Sequence, residues 1–145
     1  MEEEVEYSFV GLLARYFVHG ATFSILLTLM GIAWAIILAI LMIAGAFIGL
    51  IIGVILLFII IGGLNIFLAD ILWGIVVRGG WKTFLLHGVV LSFILFIVHL
   101  PGALVFYAIP NIIALAAISI IAAFADGYVG KALALRLAEE SSEDE

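Results

Sequence analysis

Between Tyr16 and Ala69 the chain has no Asp, Glu, Lys or Arg, and between Thr83 and Ala125 it has none again. It also lacks cysteine altogether and carries only 2 prolines in 145 residues. Without cysteine there is no disulfide, no thiolate metal site and no Cys nucleophile. A charge-free apolar run longer than about 18 residues can cross a hydrocarbon core. A chain that is 68% hydrophobic and 11% charged cannot hide that much apolar side chain in a small globular core. Lipid must cover most of it. A basic stripe is missing, which excludes nucleic acid as a partner. The start of the chain is acidic and has no basic segment ahead of a short apolar stretch, so it does not read as a cleavable signal peptide.

What is present is mostly apolar helix former with charge at the ends. The formal net charge of −6 comes from Glu2, Glu3, Glu4 and Glu6 at the start and from Glu139, Glu140, Glu143, Asp144 and Glu145 at the finish. Such tails read as solvated. A single helix over the first run would be roughly 80 Å long at 1.5 Å per residue, against a core about 30 Å thick. Each run therefore folds back on itself. Backbone groups in lipid have to be bonded internally, and continuous apolarity rather than alternation argues for helices over a barrel.

The expected fold class is all-α: a polytopic membrane protein with four transmembrane helices near 17–42, 46–68, 83–100 and 108–128. They form two hairpins, 16–69 and 83–128, in a single membrane domain. An acidic tail (1–15) precedes them, an interfacial connector (70–82) joins them and an acidic tail (129–145) follows. In the second run Pro101-Gly102 and Pro110-Asn111 bracket the expected turn. In the first run Gly45, Gly49 and Gly53 recur every four residues, which puts them on one helix face where a second backbone can approach. That reading makes them helix-packing positions and moves the turn between Gly31 and Ala44. With four crossings, Arg15, Arg78, Lys82, Lys131 and Arg136 all fall on the side of the two tails, the pattern of a cytoplasmic face. The expected location is the cell membrane, with both termini cytoplasmic. Trp73, Trp81, Arg78 and Lys82 are the expected interfacial anchors.

An internal repeat is visible. His19-Gly20 with Ser24 and Leu27 aligns with His87-Gly88, Ser92 and Leu95, which implies two hairpins in the same orientation. His19 and His87 would then lie at equal depth on helices one and three. Facing histidines suit a proton relay, a metal or the axial positions of a b-type haem; the bland alternative is a pair of interfacial polar residues. A metal would need a third ligand. Asp70 and Asp126 end the two charge-free runs, near the membrane boundary on this reading, and are the other candidates for proton or ligand binding. No carboxylate is placed in mid-membrane, which argues against a proton-coupled antiporter. His99 is read as an outer-interface residue, too far along its helix to share a site with His87.

Gly11-Leu12-Leu13-Ala14-Arg15-Tyr16 resembles the opening of small four-helix fluoride channels. The resemblance stops at residue 16, and no function is carried over from it. Ser24 and Ser92 have no base and orienter at helix spacing, so an enzyme is not expected. The leading expectation is a non-enzymatic subunit or scaffold that self-associates or packs against a partner membrane protein. An oligomeric channel or transporter is the second, and a haem-bearing anchor the third.

Overall fold

A computed structural model describes residues 8–143, with the side chains of 41–44, 46, 142 and 143 left undescribed. The acidic residues Glu2 to Glu6, Asp144 and Glu145 lie outside the described residues. Four helices are long and apolar enough to cross a membrane: α1 (Phe9–Ile40), α2 (Phe47–Trp73), α3 (Trp81–Ala108) and α4 (Ile112–Glu143). The chain is thus a multi-pass membrane protein built from two helical hairpins.

Local chemistry sets the ends. Ser8 Oγ accepts the Gly11 N–H at 3.2 Å and caps α1, satisfying one of the N–H groups a helix start leaves unpaired. At the end of α2, Gly74 takes a left-handed conformation (φ 67°), which glycine adopts without a Cβ penalty. Its N–H donates to the Asp70 carbonyl, and the Ile75 N–H donates to that of Ala69. The Gly74–Asp70 bond is that of a left-handed helix cap, and Ile75 packs back on Ala69 and Ala134 as its apolar contact. Asn111 Oδ1 accepts the Ala114 N–H at 2.8 Å and starts α4.

Several boundaries differ from the sequence expectation. The first hairpin turns at Gly45 itself, whose backbone leaves helical geometry; an added Cβ there would meet nothing within 4 Å. Gly45 is therefore the fold-back and not a packing position. Composition could not distinguish the two roles, because glycine serves both. Helix α3 runs through Pro101 to Ala108, since one lost N–H does not end a helix whose other bonds have no water to compete with them. The turn is confined to residues 109–111. Helix α4 continues far past 128 to Glu143, so most of the expected C-terminal tail is helical. The connector shrinks to residues 74–80, because Asp70 to Trp73 belong to α2.

Two backbone-to-backbone crossings hold the bundle. At the first, a Cβ on Gly20 would come within 2.8 Å of Gly127 N, joining α1 to α4. At the second, a Cβ on Gly62 would come within 2.8 Å of Gly88 N, joining α2 to α3. Lipid offers no hydrophobic drive between helices, so close approach at small residues supplies the contact. The crossings repeat the sequence duplication: His19-Gly20 and His87-Gly88 take equivalent places, as do Ala69 and Ala134, both fully buried. Apart from Gly49 and Gly53, the buried positions run from 19 to 23 in α1, 61 to 69 in α2, 87 to 95 in α3 and 123 to 134 in α4. The core there is Phe23, Ile61, Leu68, Leu91 and Leu95.

Candidate functional site

The structure gathers the polar side chains of the bundle into two layers. The first is a hydrogen-bonded chain. Trp73 Nε1–H donates to His19 Nδ1 at 3.0 Å. Indole nitrogen can only donate, so this contact fixes the His19 tautomer: Nδ1 accepts and Nε2 carries the hydrogen. His19 Nε2–H then donates to Asn65 Oδ1 at 3.1 Å. The Asn65 amide nitrogen donates to His87 Nε2 at 2.9 Å and to the Gly130 carbonyl at 3.0 Å. Every donor in this chain meets an acceptor only if both imidazoles are neutral, with Nε2 of His87 bare. His19, Asn65 and His87 are all buried. Gly130 leaves the room they need: a Cβ on it would lie 2.9 Å from His19 Nε2.

Around Trp73 the layer ends in a cation–aromatic cluster. Lys131 Nζ stands 4.3 Å from the Trp73 ring centre and 5.4 Å from that of Tyr16. Tyr16 packs on Trp73 with centroids 4.8 Å apart. The Arg15 guanidinium donates to the Leu72 carbonyl at 2.7 Å, where the last turn of α2 presents its negative dipole end.

His19 and His87 are thus brought together at one depth, as the sequence suggested, and Asn65 stands between them. A haem does not fit there: the Asn65 amide holds both Nε2 atoms, and the tight approach of Gly130 leaves no slot for a macrocycle. Among the described residues no three His, Cys, Asp or Glu converge as a metal site. Trp73 is turned inward as a member of this layer and not outward as an anchor. Trp81 is exposed, with Lys82 Nζ 5.8 Å from its ring centre, and Arg78 is exposed at the connector. Asp70 is exposed and joins neither layer; its part is to accept the Gly74 N–H through its backbone.

The second layer is a cavity of about 350 Å³ lined by Phe23, Ser24, Thr28, Ser92, His99 and Asp126, among others. Asp126 sits midway along α4 and its side chain is only 4% exposed. Ser24 Oγ donates to Asp126 Oδ2 at 3.0 Å. His99 Nε2 lies 2.9 Å from Oδ1, and the buried Ser92 Oγ has no hydrogen-bond partner. Thr28 is turned to its own helix, donating to the Ser24 carbonyl at 2.8 Å. On all four helices the first-layer residue is nearer the connector end than the cavity residue: His19 before Ser24, Asn65 after Ile61, His87 before Ser92, Gly130 after Asp126. The histidine–asparagine layer, with Phe23 and Leu91 beneath it, therefore closes the cavity on that side.

This geometry corrects two expectations. Asp126 is not near a helix end, because α4 runs on for several turns beyond it. His99 is not an outer-interface residue. Helical side chains lean toward their own N-terminus, and α3 begins at the connector end, so His99 leans inward onto Asp126. Asn65 was missed as a site residue. Its signal was a carboxamide within an apolar run, one turn from a glycine that makes a crossing.

No family model, curated protein or solved structure matches this chain.

Proposed function

We propose that this chain is a non-enzymatic, proton-coupled transport protein in which the Asp126–His99 pair takes up and releases the proton. The observation that carries the reading is a buried carboxylate midway along a membrane helix, facing a cavity with hydroxyls and an imidazole. Ionisable groups inside a membrane are costly and mark ion or substrate pathways. The sequence argues against a proton-coupled mechanism for want of a carboxylate inside the bundle; the burial of Asp126 halfway along α4 supports the opposite reading. The first layer serves as the barrier between cavity and connector side. We place that side in the cytoplasm and the protein in the cell membrane, because Arg15, Arg78, Lys82, Lys131 and Arg136 gather at that end.

The packing-subunit reading has less support. Gly53 faces Trp34 and Leu38 of its own hairpin, so the glycine face that suggested a partner is used internally at that position. The test is proton flux into liposomes holding the purified protein under an imposed pH gradient, read with an entrapped dye. Wild type is expected to dissipate the gradient and Asp126→Asn to lose that flux, with Asp70→Asn unaffected. Equal flux in wild type and Asp126→Asn sinks the reading.

A further inference from the structure

A second opening meets the cavity at His99. Between the outer halves of α3 and α4 runs a groove of about 410 Å³, lined by Val98, Pro101, Val105, Ala117, Ile121 and Ala125, with His99 in its wall. Apart from His99 its lining side chains are hydrocarbon. His99 belongs to both spaces, and Ala125 of the groove adjoins Asp126 of the cavity in sequence. Residues 98–105 of α3 and 114–122 of α4 include no buried position, so the groove opens to the outside of the bundle.

We propose that cavity and groove together form one binding site for an amphiphilic amine, a single-chain apolar body bearing one ammonium group. This rests on the transport reading above and names its substrate class. Charge complementarity selects the head. Asp126 is a buried carboxylate whose Oδ1 has only His99 Nε2 near it, at 2.9 Å, and Ser92 Oγ in the wall of the same cavity has no hydrogen-bond partner. An ammonium carries three N–H donors and no acceptor, which suits a cavity that offers a buried carboxylate and a hydroxyl oxygen. A carboxylate or phosphate head would face Asp126 without compensation. The groove selects the tail: it offers apolar walls and a volume within the range of sites for drug-sized ligands. His99 stands where head and tail join. The titratable groups facing that point are Asp126 from α4 and His99 from α3, while α1 and α2 contribute Ser24, Thr28 and Ile61. Proton and amine thus compete for the same carboxylate, which couples the movement of one to the other.

The experiment is equilibrium binding of radiolabelled dodecylamine to the full-length protein in lipid nanodiscs, with empty nanodiscs subtracted. Saturable binding near one amine per chain is expected, unaffected by excess laurate and weakened more than about tenfold in Asp126→Asn, as loss of a buried charge partner requires. Ala117→Phe, which fills the groove without touching Asp126, is expected to weaken it similarly. Each variant is compared only where its elution profile and thermal melt match wild type. Non-saturable partitioning in wild type, or equal displacement by laurate, overturns the proposal. Lost amine binding with intact Asp126-dependent proton flux removes the substrate class alone; flux independent of Asp126 removes the transport reading beneath it.

Discussion

At the scale of single residues, Asn65 organises the bundle. It makes three interhelical hydrogen bonds, to His19, His87 and Gly130. Such bonds in membrane proteins average about 0.6 kcal/mol each, so Asn65→Leu is expected to destabilise the fold by roughly 2 kcal/mol. The check is reversible unfolding of the detergent-solubilised protein; a change under 0.5 kcal/mol, about the size of a neutral surface substitution, would remove Asn65 from its role. The two histidines were legible in the sequence because each stands before a glycine at matching spacing. Asn65 was not, since nothing in a one-dimensional pattern shows that a carboxamide on the second helix lies between imidazoles on the first and third. Asp126 was visible as a residue, but its partners on α1 and α3 were not. The end of a charge-free run looks like the end of a helix. Here Lys131 follows within the same helix and is sheltered over the Trp73 and Tyr16 rings, so the first charge does not end α4.

At the scale of helices, glycine does two different jobs, and only contacts separate them. Gly45 turns the chain. Gly20, Gly62, Gly88 and Gly127 let backbones meet. Gly31 does neither, since a Cβ there would touch nothing within 4 Å. Gly88→Ala pushes a Cβ to within 2.7 Å of the Phe58 carbonyl carbon and is expected to cost about 3 kcal/mol, the upper range for overpacking. Gly31→Ala is expected to be neutral or to stabilise by up to about 1 kcal/mol through helix propensity. Thermal melts of the two variants side by side check this; equal melts would mean that the α2–α3 crossing is not a backbone contact. The four helices were legible because hydropathy and bilayer thickness leave little choice. Their ends were not, because caps such as the Gly74 closure and the Asn111 cap depend on a few atoms within an otherwise uniform composition.

At the scale of the whole molecule, two features combine: an even number of crossings and a bundle sealed at one end by polar layers and core. The chain has no cysteine of its own, so single Cys substitutions report topology directly. Gly80→Cys and Ser141→Cys are expected to react with an impermeant maleimide from one side of sealed vesicles. Tyr107→Cys, 88% exposed at the far end of α3, is expected to react from the other. Labelling of all three from one side would break the four-crossing layout. On the transport reading proposed above, alternating access requires the His19–Asn65–His87 layer to part while the Gly20–Gly127 and Gly62–Gly88 crossings act as pivots. The overall count of helices and the gathering of basic residues were readable in advance. The cavity was not, because side chains of four helices line it, and a one-dimensional pattern does not show which levels of those helices meet. The claim on which this picture turns is that Asp126 faces a reachable cavity within the membrane and works there. Treating the protein in liposomes with a membrane-permeant carbodiimide, mapping the adduct by mass spectrometry and measuring proton flux on the same sample tests it most directly. Modification at Asp126 with proportional loss of flux is the predicted result; flux that survives full modification of Asp126, or an Asp126 that never reacts while Asp70 does, would contradict it.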